Sequence, residues 1–264
     1  MRRIFMAVLI SLGLLAGCDR EPVYRGVGFM AFNYTPFEMD AVTLTDKDGN
    51  RAGTTQLSVG GGEGSVSCCY LLKGTEFTVK WRAADPEVLI AHIYDDDWEK
   101  YVFTRERAVH FPRTEIPPGD GPLYVELHIY PDDHVEMALG RKLIGGTRIP
   151  IVETTQWLWR QHRDALGNFR DLAEFVHVVA HVTKMSWDKY RIEDKTDMRE
   201  YMKMYFTVSS NFDQSPEIRA VLEKKDRKPG EFARLIESLS PERIATLKST
   251  GTPPGNKIGG TSAG

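Results

Sequence analysis

Leu123-Tyr124-Val125-Glu126-Leu127-His128-Ile129-Tyr130 is the stretch on which the fold turns. Its odd positions carry Leu, Val, Leu and Ile, the period of two expected of a strand with one face on a core. Pro131-Asp132-Asp133 then predicts a turn back into a second strand over Val135 to Leu139. Upstream the texture is the same. Gly26 to Tyr34 and Met39 to Thr45 are short and rich in β-branched and aromatic residues. Asp46-Lys47-Asp48-Gly49-Asn50 carries the Asp-Gly pair that takes the positive φ of a tight hairpin. Ser65 to Leu72 and Glu76 to Trp81 are separated by Lys73-Gly74-Thr75, which predicts another hairpin.

Downstream of Gly145-Gly146 and Pro150 the hydrophobic period becomes helical. Over Phe169 to Met185, the residues Phe169, Leu172, Ala173, Val176, Val179 and Ala180 follow the i, i+3, i+4, i+7 spacing of one helix face. Thr196 to Phe206 predicts a second helix. Ser215-Pro216-Glu217 and Ser240-Pro241-Glu242 combine a serine cap, a proline in the first turn and an early carboxylate. They open helices over Pro216 to Lys225 and Pro241 to Lys248, with Glu231 to Leu239 between. These features predict an α+β chain, with an N-terminal antiparallel β-sandwich-like domain over residues 24–145 and a helical region over 150–249. The Gly, Pro, Ser and Thr composition of residues 250–264 predicts a disordered tail.

In 264 residues, 41% are hydrophobic and 27% charged, which excludes a wholly disordered or polytopic membrane protein. Thirty-four basic against 37 acidic residues give a formal charge of −3, so there is no field to hold a polyanion and nucleic acid is not an expected ligand. Arg2 and Arg3 precede an apolar run from Ile4 to Leu15 that is too short to span a bilayer. Leu15-Ala16-Gly17-Cys18 follows and resembles the bacterial lipobox, in which the cysteine becomes the acylated first residue of the mature chain. Residues 1–17 are thus expected to be a lipoprotein signal peptide, Cys18 the lipidation site and residues 18–23 a tether. The mature protein is expected in the periplasm, anchored by lipid. Asp19 resembles an inner-membrane retention signal, with the outer membrane the alternative.

Cys68-Cys69 are the remaining thiols. Adjacent residues of a regular strand point to opposite faces, so a vicinal disulfide needs a distorted peptide. The alternative is two small apolar side chains, one on each face. Asp95-Asp96-Asp97 stands beside Trp98, Glu99 and Tyr101. Aromatic anchors with acidic neighbours suit a protein interface, so Asp95, Asp96, Asp97, Trp98 and Tyr101 form the candidate partner-binding surface. Asp132-Asp133-His134 would extend it if the fold brings the two loops together, and Trp157 to His162 is the second choice. The plain alternative is a solvated loop. His177 and His181 share the helical spacing of two metal ligands. They lie on a stripe with Arg170, Glu174 and Lys184, which suits an ion-paired surface better than a cation site. No nucleophile elbow, Walker loop or dinucleotide-binding glycine pattern occurs, so no catalytic residue, metal or cofactor is assigned.

Gly60-Gly61-Gly62, Cys68-Cys69 and Val79-Lys80-Trp81, behind the lipobox and Asn33-Tyr34-Thr35, together resemble an uncharacterised proteobacterial lipoprotein family. Its members often accompany phospholipase effectors of the type VI secretion system and are taken to be immunity proteins. The resemblance covers residues 24–145 and supplies no catalytic residues. It implies a monomeric, non-enzymatic, membrane-anchored inhibitor that binds and neutralises a cognate phospholipase-type toxin. A structural or accessory envelope lipoprotein without a toxin partner is the alternative. Metal-dependent hydrolysis would rest on His177 and His181 alone.

Overall fold

The structure, a computed structural model, describes residues 21–61, 64–141 and 146–255. Among them, eight strands form two four-stranded sheets. The first sheet runs in the order β4 (Ser67–Lys73), β1 (Val23–Asn33), β7 (Tyr124–Ile129) and β8 (Val135–Gly140). The second runs β3 (Arg51–Leu57), β2 (Glu38–Asp46), β5 (Glu76–Ala84) and β6 (Val102–His110). Pairing is antiparallel throughout except between β1 and β7, which run parallel from Gly28↔Tyr124 to Asn33↔Ile129. The chain leaves the first sheet after β1 and returns to it at β4 and again at β7, building the second sheet in the intervals, so no two-residue turn constrains the β1–β7 pair to oppose. The 46–50 and 131–134 turns are hairpins as expected.

Lys73-Gly74-Thr75 is not a hairpin. β4 pairs with β1 and β5 with β2, so this turn is a corner where the chain changes sheets. Backbone bonds hold it, from Gly74 N–H to Pro22 O (2.9 Å) and from Phe111 N–H to Thr75 O (2.7 Å). The Asp46 carboxylate reaches across from the first hairpin and accepts the Lys73 N–H at 2.8 Å, together with the Asp48 and Asn50 N–H groups of its own turn. Burial pushes that carboxyl up in pKa, but the hydrogen bonds outweigh it and the net shift is downward.

The two inner faces share one core. Phe29, Ala31, Val125, Leu127 and Ile129 of the first sheet pack with Val42, Leu44, Phe77, Val79 and Trp81 of the second. The opposite face of the first sheet is buried as well. Met30, Phe32, Tyr34 and Tyr130 belong to the core of the helical region, with Phe175, Val179, Tyr201 and Phe206. The order of layers is therefore helices, first sheet, second sheet. β1 accordingly is buried without a break from Val27 onward, as strands covered on both faces are. The expected boundary near residues 145–150 separates secondary-structure types, while the hydrophobic core runs across it.

The helices are α1 (Pro86–Ala91), α2 (Ile151–Gln161), α3 (Leu172–Tyr190), α4 (Lys195–Thr207), α5 (Pro216–Leu222), α6 (Glu231–Ser238) and α7 (Pro241–Thr250). α3 starts three residues later than expected, because Asp171 caps it by accepting the Glu174 N–H at 2.9 Å. Its buried residues are Phe175, Val178, Val179, Ala180, Val182, Thr183, Ser186 and Trp187, so Val179 and Ala180 of the expected face are buried while Ala173 is exposed. Phe169 lies ahead of the helix and packs on Phe175 at 4.8 Å between centroids, so a period counted from it has the wrong phase. Of the two serine starts, Ser240 caps α7 by accepting the Arg243 N–H. Ser215 instead donates to Glu217 and accepts from the Arg243 guanidinium (2.6 Å), which ties α7 to α5. Residues 250–252 of the expected disordered tail are ordered instead. α7 runs to Thr250, and Thr252 is held by Ser210 N–H to Thr252 O (2.8 Å) and Thr252 N–H to Asn211 Oδ1 (2.8 Å). Residues 256–264, the signal segment and Cys18 lie outside the described residues, and β1 begins at Val23, inside the expected tether.

Candidate functional site

Glu126 and His128, at even positions of the 123–130 stretch, face the helical layer. Tyr34 and His128 are 0% exposed and Glu126 is 8% exposed. Tyr34 Oη accepts the Arg148 backbone N–H at 2.8 Å, so its own proton goes to His128 Nδ1 at 3.0 Å. That places the imidazole proton on Nε2, 3.5 Å from Glu126 Oε2 and without a hydrogen-bond acceptor. The Phe32 ring stacks on His128 at 4.8 Å and 3°. Beyond it, the Arg148 guanidinium bridges Tyr130 Oη and the Glu136 carboxylate. The fully buried Tyr34–His128 pair lies against the helical layer and joins it to the first sheet. Gly146 makes room for it, since a Cβ there would sit 2.8 Å from Phe32 Cζ and 3.0 Å from Glu126 Oε2.

Burial pushes the His128 pKa below its ordinary 6.5, more than the neighbouring Glu126 raises it, and Arg148 adds to the lowering. His181 and His162 are lowered as well, chiefly by burial. The unfolded chain therefore binds protons that the folded chain does not. Stability is full above pH of about 6.5 and falls as pH drops towards the folded-state pKa values. The melting temperature should fall between pH 7.5 and 5.5, and fall less for His128→Gln, which keeps an acceptor for Tyr34. An equal fall in both proteins would show that His128 contributes nothing to the pH dependence.

The glycine-rich run and the double cysteine acquire structural roles. Asn33 Nδ2 donates to Phe37 O (2.7 Å) and Ser58 O (3.1 Å), while its Oδ1 accepts the Thr35 hydroxyl (2.7 Å) and N–H (3.0 Å). This latch holds the end of β1 against the chain entering Gly60, whose N–H donates to Thr35 O. Gly60 has φ +78°, and a Cβ on it would press on Ile151 of α2 at 3.0 Å. Gly60 thus lets the backbone pass close to α2. Cys68 and Cys69 form a vicinal disulfide across a cis peptide bond. Both are exposed on the edge strand β4, at an irregularity between the Phe29↔Ser67 and Val27↔Tyr70 pairs. This is the distorted alternative, and the picture of two apolar side chains packed on opposite faces is overturned. Beside them Ser67 Oγ (2.5 Å) and Tyr70 Oη (3.2 Å) donate to Gly53 O, closing that edge onto β3.

The acidic-aromatic stretch belongs to a larger insert between β5 and β6. Asp85 caps α1 by accepting the Glu87 and Val88 N–H groups, and Pro86 fills the first turn. α1 leads through Asp95 to Asp97 into a 3-10 turn at Trp98–Tyr101. Asp85-Pro86-Glu87 repeats the cap, proline and acid pattern of residues 215 and 240, so the signal for this unassigned helix is present in the sequence. Five of the eight large apolar side chains exposed among the described residues lie here: Val88, Ile90, Ile93, Tyr94 and Trp98. Tyr94 is 98% exposed, Ile90 70% and Trp98 37%.

The insert's polar groups are largely engaged with each other. His92 Nδ1 lies 3.0 Å from Asp95 Oδ2, and its ring stacks on Tyr101 at 4.3 Å. Lys100 Nζ donates to both Asp97 oxygens at 3.0 Å and sits 4.9 Å over the Tyr101 ring. The hydrogen bond from Lys100 is the largest influence on Asp97 and holds its carboxyl below the ordinary range. From Asp85 to Tyr101, six carboxylates face the single Lys100. A preformed, acidic surface carrying exposed apolar side chains can bind a protein without ordering itself first.

Most of the remaining candidate residues have partners of their own. Asp133 pairs with Arg105 (3.4 Å) and Arg107 (3.7 Å) of β6, and Asp132 with His134 (2.5 Å), so that turn's carboxylates are engaged there. His181 Nε2 is 3.7 Å from Asp85 Oδ2, which brings α3 beside the base of the insert, and His177 Nδ1 is buried without a partner. Among the described residues no three His, Cys, Asp or Glu side chains are grouped to hold a metal ion. Trp157 packs edge-on against His162 and lies under the Arg199 guanidinium at 3.8 Å, and Trp159 contacts Phe175 and Arg163. Trp157 and Trp159 are thus engaged in contacts within the helical layer.

No protein family matches the chain, and no curated protein matches it. Among solved structures, an NMR structure of a protein from Eubacterium rectale is similar over 45% of this chain and 92% of its own length, at 13% identity and a TM-score of 0.22. No helix among the described residues is long and apolar enough to cross a membrane.

Proposed function

We propose that this protein is a lipid-anchored periplasmic inhibitor that acts by binding, not by catalysis, and that it docks its partner through the insert at residues 86–101. The observation that carries the docking surface is the group Val88, Ile90, Ile93, Tyr94 and Trp98, exposed together on one acidic insert. Exposed apolar groups gathered in this way mark interaction sites, whereas single ones are ordinary surface. The family that residues 24–145 resemble makes a type VI phospholipase effector the partner. A lipid anchor suits such an inhibitor, because the five residues from Cys18 to Val23 span at most about 17 Å. The body is thereby confined to the layer in which a phospholipase must work, which raises its effective concentration there.

The test is protection of cells that express, in the periplasm, the lipase encoded beside this gene. Wild-type chain should prevent lysis and bind the purified lipase. Trp98→Ala should weaken binding about thirtyfold or more, through faster dissociation, because a buried interfacial Trp typically contributes about 2 kcal/mol or more. Exchanging Asp95, Asp96 and Asp97 for Asn should mainly slow association and flatten its salt dependence. Wild-type kinetics in both variants would move the interface elsewhere. A neighbouring gene product that the chain neither binds nor inhibits would favour an accessory envelope role.

A further inference from the structure

A cleft of about 360 Å³ lies between the insert and the end of the second sheet. Leu89 of α1 and Trp98 of the 3-10 turn line it on the insert side, and Ala84 of β5 and Val102 of β6 line it on the sheet side. Its volume falls at the lower end of the range of pockets that bury a small ligand or side chain. The cleft carries no net positive charge. Glu38 and Asp40 stand at its rim on β2, and the one cation lining it, Arg82, is paired with Asp40 at 3.4 Å. The Met39/Ala41 irregularity in the β2–β5 ladder places Asp40 on the exposed side. Asp95, Asp96 and Asp97 immediately precede Trp98 in the insert.

From this charge complementarity we infer that the Trp98 cleft receives a single large apolar side chain, flanked by lysine or arginine, from a protruding loop of the partner protein. The inference rests on the reading of residues 86–101 as the docking surface and adds the chemistry of what docks. The apolar side chain packs between Trp98, Leu89 and Val102, while the flanking cations lie over Glu38 and Asp96, carboxylates not already paired as Asp40 is with Arg82 and Asp97 with Lys100. A membrane surface is a poorer occupant, since five carboxylates on the insert oppose anionic headgroups.

The experiment pans a displayed random heptapeptide library against the mature chain from Asp19 onward, without the leader and the lipidated cysteine. Enriched sequences should combine one Leu, Met, Phe or Trp with two or more neighbouring Lys or Arg. The corresponding synthetic peptides should lose at least tenfold in affinity for Trp98→Ala and for Leu89→Arg, and should weaken as salt is raised. Circular dichroism melting of both variants shows that they remain folded, and if one does not, the other carries the comparison. Enrichment of acidic or uncharged peptides, peptides that bind both variants as they bind the parent, or no enrichment would overturn the inference. Cation-flanked peptides that occupy the cleft of a chain unable to neutralise the lipase would sustain the inference and sink the inhibitor reading. A lipase neutralised through residues 86–101 with no such peptide preference would do the reverse.

Discussion

Phe32→Ala should unfold the sheets and the helices together. Phe32 is fully buried on the helix-facing side of β1, stacked on His128 and close to Gly146. Truncating a buried phenylalanine costs about 3–5 kcal/mol, from the lost transfer energy and the cavity left behind. That is a large share of the ~5–15 kcal/mol that holds a typical domain folded. The cavity would open between layers, with the latch at Asn33 one residue away and the Tyr34–His128 hydrogen bond beside it. Urea titration followed by far-ultraviolet circular dichroism and by tryptophan fluorescence should show one transition, displaced to lower urea by the same amount for both signals. Four of the five tryptophans divide usefully, since Trp81 lies between the sheets while Trp157, Trp159 and Trp187 belong to the helical layer. If the helical signal kept its wild-type midpoint while the sheet signal shifted, residues 150–249 would be an independent domain and the shared core would carry little energy.

Cys18→Ser should move the protein from the membrane fraction to the soluble fraction completely. Each buried CH₂ of an acyl chain contributes about 0.8 kcal/mol, so the two or three chains expected at Cys18 would hold the protein firmly. Among the described residues no helix can substitute by spanning the bilayer. The insert's apolar side chains are surrounded by carboxylates, which oppose an anionic surface. Fractionation of cells expressing each form, followed by a carbonate wash, measures the effect. Full retention of Cys18→Ser in washed membranes would mean that another part of the chain supplies the anchor, and would remove the main support for a tethered inhibitor.

Local features of the chain were legible from sequence. The Asp-Gly turn at residues 46–50, the Pro-Asp-Asp turn before β8 and the helix starts at Pro216 and Pro241 depend on backbone preferences within a few residues. The insert was legible in part. Its acidic and aromatic composition marks Trp98, while the Asp85-Pro86-Glu87 start of α1 is easily missed because the helix is only six residues long. β6 also escapes notice, since Thr104 to Arg107 on this edge strand are exposed and lack apolar alternation.

Tertiary structure alone decided what covers each face. The alternation over residues 123–130 describes a half-exposed strand, yet Glu126 and His128 are buried because a helical layer lies on that side. Gly74 sits in a turn that would serve a hairpin equally well, and it became a corner because β4 found β1 and β5 found β2. Ser215 offered a cap and was taken instead by Arg243, 28 residues away. Periodicity and capping are fixed by interactions within one or two turns of chain. The partner of a strand, the second face of a sheet and the use of a buried polar group depend on residues distant in sequence, whose arrival only packing determines.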